Sequence, residues 1–216
     1  MVKLIFITLF SMGVLHCEEG LHFAFTERKL QPKVTDTVVM STFPFTNAGK
    51  TPVTITELKT SCGCTTADLE KRTYAAGEAG EITMAFTVGD FTGLQTKLVT
   101  VKTDEPGSPP IFLRMEIQLP EGPSPSQRFI DWYVGAGPSK KTIFITLPKD
   151  PKFHMQRVEC ADKRLKISLD PGQDENHYLI SIIPTETTRP YAAAIDVITD
   201  LRTIHVYARI IEIIGK

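Results

Sequence analysis

Glu81 to Val88 read EITMAFTV, with Ile82, Met84, Phe86 and Val88 at every second position. Successive side chains of an extended chain point to opposite faces, so these four share one face and the segment is a half-buried β-strand. Ile111 to Leu119, IFLRMEIQL, repeats the pattern with Ile111, Leu113, Met115, Ile117 and Leu119. Upstream, VVMSTFPFTN (38–47) and PVTITELK (52–59) are β-rich runs separated by Asn47-Ala48-Gly49-Lys50, a turn composition that predicts a hairpin. No stretch of ten or more residues carries a helical stripe.

The texture changes at 120–126, PEGPSPS, where Pro120, Pro123 and Pro125 read as a Pro-rich linker. A second β-rich series follows: RFIDWYV, KTIFITL, FHMQRVEC, RLKISLD, HYLISIIP, YAAAIDVITD and TIHVYARIIEII. Short strands with turns between them, and no room for crossover helices, predict sandwiches rather than βαβ units. The halves echo each other. VTVKTD closes on Asp104 and IDVITD on Asp200; Cys62 lies 42 residues before the first and Cys160 lies 40 before the second. The expected architecture is all-β, two tandem immunoglobulin-like β-sandwich domains at 21–119 and 127–216, each of ~100 residues.

Bulk composition narrows the class of function. A hydrophobic fraction of 42% and a charged fraction of 23% belong to a folded globular chain, and a net charge of −1 leaves no basic footprint for phosphates, so nucleic acid is not an expected partner. Residues 1–17 differ from the rest. Lys3 precedes an apolar run from Leu4 to Leu15, and polarity returns at Glu18 and Glu19. This is the pattern of a secretory signal peptide, and the run is shorter than the ~20 residues of a membrane span, so no transmembrane span is expected after its removal. Cys17 is a lipidation candidate, although His16 stands where that cleavage favours a small residue; cleavage near Cys17 or Glu18 is the alternative. Export, periplasmic or beyond, places the chain where disulfides persist.

Beyond Cys17, three cysteines remain: Cys62, Cys64 and Cys160. An odd number leaves at least one thiol unpaired or paired between chains. The first two sit in LKTSCGCTTA (58–67), one glycine apart. In an extended strand both sulfurs point to one face; with a turn at Gly63 they could instead bond to each other. Zinc needs four ligands, of which the pair supplies half, and His22 would have to arrive through folding. Cuprous copper takes soft thiolates in low coordination, so Cys62 and Cys64 are candidate metal ligands as well as candidate redox or disulfide residues. Burial at a strand end is the plain structural alternative, with Ser61, Thr65 and Thr66 bonding the local backbone. Cys160 reads as a core residue. Trp132, the single tryptophan, is expected in the core. Glu78 and Glu81 flank a turn as solvated carboxylates. His154, His177 and His205 are scattered over strands, and no nucleophile elbow or phosphate loop is present, so no catalytic residue is nominated.

The stretches FPFTNAGKTPVTITELKTSCGCTTA, YAAGEAGEITMAFTV and GLQTKLVTVKTDEPGSPPIFLRMEI resemble the bacterial family catalogued as domain of unknown function 1573, similar to immunoglobulin-like modules of the major-sperm-protein and Hydin type. The likeness runs from Phe43 to Leu119, is specific at Ser61-Cys62-Gly63-Cys64-Thr65, and implies an exported β-sandwich without implying an activity. The second half has Cys160-Ala161-Asp162 in the matching place and lacks the second thiol. The expected function is therefore a noncatalytic binding or scaffold protein of the bacterial cell envelope with a protein partner there. The alternative is a periplasmic copper-binding or thiol-disulfide exchange protein acting through Cys62 and Cys64.

Overall fold

A computed structural model describes residues 20–212, so the expected signal peptide and Cys17 lie outside the described residues. Every regular element among the described residues is a strand. In the first half these are β1 (Leu21–Phe23), β2 (Glu27–Leu30), β3 (Val38–Asn47), β4 (Val53–Thr60), β5 (Thr65–Asp68), β6 (Thr73–Tyr74), β7 (Ala79–Thr87), β8 (Gly93–Thr103) and β9 (Ile111–Leu119). The second half holds β10 (Ser124–Pro125), β11 (Phe129–Tyr133), β12 (Lys141–Thr146), β13 (Met155–Glu159), β14 (Leu165–Pro171), β15 (His177–Pro184), β16 (Tyr191–Thr199) and β17 (Thr203–Ile211). Among the described residues there is no helix long and apolar enough to cross a membrane.

The alternation in Glu81–Val88 does what it predicts. Ile82, Met84, Phe86 and Val88 are buried in one cluster with Phe43, Leu113, Met115 and Ile117. That cluster is sealed between the sheets β1-β3-β7-β5 and β2-β9-β8-β4-β6. A second cluster, around Trp132, Ile143, Ile182, Ile195 and Val206, lies between β10-β12-β15-β14 and β11-β17-β16-β13. The two share no buried residue, and each large apolar side chain so buried contributes ~1.5–3 kcal/mol.

The two halves have the same strand order, with β6 as the single addition in the first. In each, the opening strand pairs antiparallel in one sheet, and the next crosses to run parallel with the last strand of the other sheet, β2 with β9 and β11 with β17. The repeated Thr-Asp has the same job twice. Asp104 Oδ1 accepts from Thr54 N at 2.8 Å while Asp104 N donates to Thr54 O at 3.0 Å. Asp200 Oδ1 accepts from His154 N at 2.9 Å while Asp200 N donates to His154 O at 3.1 Å. These backbone donors hold both carboxyls below the usual carboxylate range, with the His154 side chain adding to the effect on Asp200.

Two local expectations change. Residues 48–52 do not close a hairpin: β3 and β4 lie in different sheets, so the segment is an arch over the end of the core. Its cause is Asn47, fully buried, whose Nδ2 donates to Thr51 O at 2.8 Å and Tyr74 O at 2.9 Å while Oδ1 accepts from Gly49 N at 3.0 Å. The Pro-rich segment is not linker throughout, because Ser124–Pro125 pair with Thr146 and Ile145 as an edge strand, where a proline's missing N–H costs nothing.

The halves meet end to end. Arg128 Nη1 donates to Asp90 Oδ2 at 2.9 Å and Nη2 to Asp90 O at 3.1 Å; His205 N reaches the same carboxylate at 3.2 Å. Arg202 donates to Phe91 O at 3.1 Å and Val34 O at 3.4 Å, and Val34 itself packs on the second core.

Candidate functional site

The Ser61–Cys64 segment carries the chain from the end of β4 in the five-stranded sheet to the start of β5 in the four-stranded one. Its ends are tied by ordinary backbone chemistry. Ser61 N donates to Leu98 O at 3.0 Å and Ser61 Oγ accepts from Leu98 N at 3.2 Å, extending the β4–β8 ladder by one rung. Thr60 Oγ1 and Thr65 N both donate to Cys62 O, at 3.2 and 3.3 Å, and Cys64 O accepts from Thr87 N at 2.9 Å. The side chain that bonds the local backbone here is Thr60 rather than the expected Ser61, Thr65 or Thr66: the Ser61 hydroxyl reaches the distant Leu98 N, and the Thr65 hydroxyl faces the two sulfurs. Gly63 does not enter the left-handed region, and its absent side chain faces open space.

Within this turn Cys62 and Cys64 are joined by a disulfide with a Cα–Cα separation of 5.3 Å. The bridge closes a loop of only three residues, Cys62-Gly63-Cys64. By loop-closure entropy so short a ring stabilises a fold by only ~1–2 kcal/mol, against ~4–5 kcal/mol for a loop of ~100 residues. Holding the fold is thus the weakest thing this bond could do. Both cysteines are partly exposed, and the two are not equivalent. Cys64 packs against the first core, whereas the Cys62 sulfur lies 3.4 Å from the hydroxyl of buried Thr65, which is 3.9 Å from the Cys64 sulfur. A hydroxyl at that place can donate to a sulfur that becomes a thiolate, and thiolate is the nucleophilic form.

The metal alternatives fare differently. His22 lies on β1 opposite Thr46, at the far end of the sandwich from Cys64, so folding does not bring it to the pair. No group of three or more His, Cys, Asp or Glu able to hold a metal occurs among the described residues. In the bridged form neither sulfur is a thiolate, the form a metal takes.

One residue near this end escaped the sequence reading. Lys97 on β8 is only 7% exposed, with its amine 4.5 Å from the Phe86 ring centroid and 4.4 Å from that of Phe91, and 3.3 Å from Gln95 Oε1. Burial pulls its ammonium below the usual lysine range. The signal was available: Lys97, Val99 and Val101 share the inward phase of GLQTKLVTVKTD. Its neighbour Leu98 is the residue that bonds Ser61.

The matching turn of the second half, 160–164, holds Cys160 as a free, half-buried thiol packed beside the second core rather than within it. Burial pushes that thiol up, away from reactivity. Trp132 is buried as expected. Glu78 is not simply solvated, since it pairs with Lys71 and accepts from Ala75 N at 2.8 Å. His154, His177 and His205 each sit against an aspartate, at 2.7 Å from Asp200, 2.7 Å from Asp174 and 2.9 Å from Asp196, in separate places.

Among solved structures, the chain is similar to a protein of unknown function from Porphyromonas gingivalis W83, at 15% identity over 88% of this chain and 96% of that one, with a TM-score of 0.32. It is also similar to the E. coli chaperone DraB, at 12% identity over 87% and 96%, with a TM-score of 0.38. Neither likeness bears on function. No curated protein matches the chain. Residues 21–118, which fold around the first core and carry the bridged Cys62-Gly63-Cys64 turn, match the family described as Protein of unknown function (DUF1573).

Proposed function

We propose that the protein is a noncatalytic binding or scaffold module exported to the bacterial cell envelope, where it engages a protein partner. One observation carries this reading. The outer face of β8 and β9 leaves Leu94, Leu98 and Phe112 60%, 38% and 58% exposed, with Leu98 and Phe112 as diagonal neighbours across the strand pair. Leu98 and Phe112, neighbours on one sheet face beside the Ser61 turn, form the kind of patch that a partner buries. Export is supported by the charged-then-apolar amino terminus and by a disulfide of a sort that persists in oxidising compartments. A photo-crosslinking residue at position 98 or 112, in cells, is expected to trap one discrete envelope protein. Phe112→Ser is expected to abolish the product formed from position 98. A ladder of unrelated products, or none, counts against the reading.

A second reading, thiol-disulfide exchange at the same end, is favoured by the accessible bridge with a hydroxyl beside one of its sulfurs. When the pair is reduced, Cys62 is the attacking sulfur and Cys64 the resolving one; the bridged form runs the exchange in reverse. An incoming thiolate bonds one sulfur as the Cys62–Cys64 bond breaks, and a second thiol from the same dithiol releases it, leaving the pair reduced and the partner oxidised. The reduced pair is also the form that would accept cuprous copper. Replacing both cysteines by serine is expected to cost no more than ~1–2 kcal/mol in urea denaturation while removing all exchange with a small dithiol. In the reduced wild type, alkylation at Cys62 is expected to outpace that at Cys64. Equal rates at the two thiols, or a bridge that resists the dithiol until the protein unfolds, would sink the exchange reading.

A further inference from the structure

We propose that the open side of β7 at Ala79 and Glu81 is a strand-addition site for a short, extended, basic peptide segment. The inference deepens the binding reading above and rests on it. Val88 N donates to Thr37 O at 2.9 Å and Asn47 N to Glu78 O at 2.9 Å, so even-numbered residues along β7 turn their backbone groups toward β3. Thr87 N donates to Cys64 O, so the odd-numbered ones turn toward β5. β5 covers that side only as far as Asp68 opposite Thr83. There the chain leaves the sheet and crosses to β6, which pairs with β4 in the other sheet. Ala79 and Glu81 are left with their N–H and C=O groups facing a groove of about 530 Å³, bounded by Asp68–Lys71, Tyr74 and the edge itself.

The floor and rim of this groove select the occupant. Gly80 shares the inward phase of Ile82 and Met84, and the core rings of Tyr74 and Phe45 lie where its Cβ would stand; of the two, Tyr74 also lines the groove. Asp68, Glu70, Glu78 and Glu81 line the groove against a single cation, Lys71, which is already paired with Glu78. A second copy of the same edge would bring Glu81 against like charge, a usual defence of open edges against self-pairing. An extended segment with Lys or Arg at alternate positions meets opposite charge instead. Backbone pairing supplies affinity in such recognition, and alternate side chains supply selectivity.

The test uses the full chain and an acetylated, fluorescein-labelled Lys-Val-Lys-Val-Lys-Val peptide, read by anisotropy. Saturable binding is expected, weakening with salt, with the Glu-Val-Glu-Val-Glu-Val analogue at least about tenfold poorer. The basic peptide N-methylated at every second residue keeps its charge and loses its ladder, and is expected to lose binding without any change to the protein. Glu81→Pro removes the N–H that faces the groove and none that faces β3, so it is expected to weaken binding about tenfold with an unchanged circular dichroism spectrum. Glu70→Gln with Glu81→Gln is expected to flatten the salt dependence. Equal binding of the N-methylated and plain peptides, or of the acidic and basic ones, overturns the site. Because cross-linking at Leu98 and Phe112 is read separately, loss of the edge site leaves that result standing, and loss of the cross-link leaves the peptide titration to decide the edge.

Discussion

Replacing Trp132 by alanine is expected to remove ~3–5 kcal/mol of stability, a large part of what a domain of this size has in total. The side chain is buried in the second core, so truncation leaves a cavity that the rigid sheets on either side cannot collapse to fill. It is also hydrogen-bonded: Nε1 donates to Ser139 O at 2.9 Å and to Ser139 Oγ at 3.2 Å, which pins the 135–140 turn over the sheet end. Lys141 lies 5.3 Å above the ring and loses its aromatic neighbour in the same substitution. Trp132→Phe separates these contributions. It retains most of the apolar volume and forfeits the indole N–H, so it is expected to cost ~1–2 kcal/mol. Urea denaturation followed by far-ultraviolet circular dichroism reads both. Since the two cores share no buried residue, the loss belongs to the part of the transition that melts the second half. A Trp132→Ala midpoint within error of wild type would mean that the tryptophan is not packed as described.

The strands were legible because one face of each is sealed, and a sealed face writes its period of two into the sequence. Ile82, Met84, Phe86 and Val88 needed no other information. Which sheet a strand joins is a different matter. Asn-Ala-Gly-Lys reports a reversal of the chain, and the same composition serves a hairpin within one sheet or an arch between two. The choice is made by Asn47 reaching Tyr74 O, a partner 27 residues away that no local reading names. The repeat was faintly legible as two copies of Thr-Asp, and its physical content is the pair of reciprocal bonds from Asp104 to Thr54 and from Asp200 to His154. At the candidate site, spacing allowed a bridge between Cys62 and Cys64 as one of several outcomes. Nothing in the spacing placed the Thr65 hydroxyl nearer one sulfur than the other, or set Leu98 beside the turn, because the first depends on β5 pairing with β7 and the second on β8 lying next to β4. The open edge at Ala79 and Glu81 was out of reach for the same kind of reason: it exists because residues 69–72 leave one sheet for the other.

Asn47→Asp is expected to be the more damaging of two substitutions at the arch, and Asn47→Ala the milder, although alanine removes more atoms. The position is fully buried, and the amide there serves both signs of partner at once. Its N–H groups satisfy the carbonyls of Thr51 and Tyr74; its oxygen satisfies Gly49 N. Alanine leaves these groups without partners, at ~1–3 kcal/mol for each that water cannot reach, so ~2–4 kcal/mol in total is expected because the Thr51 and Gly49 bonds are only partly buried. Aspartate keeps the acceptor for Gly49 N and turns an oxygen toward two carbonyl oxygens, in a site too dry for charge to be cheap. The carboxyl there must either remain ionised against those oxygens or take up a proton, so Asn47→Asp is expected to recover stability as the pH falls toward the ordinary carboxylate range and to gain nothing further below it, the opposite of Asp104, whose carboxyl is held below that range. Thermal melting between about pH 3 and pH 7 for the wild type and both variants decides it. Melting points for Asn47→Asp that equal those of Asn47→Ala at every pH would show that the amide's hydrogens are not what holds β3 and β4 in separate sheets. In that case the position of the Cys62–Cys64 turn at the far end of β4 would have to be set by core packing alone.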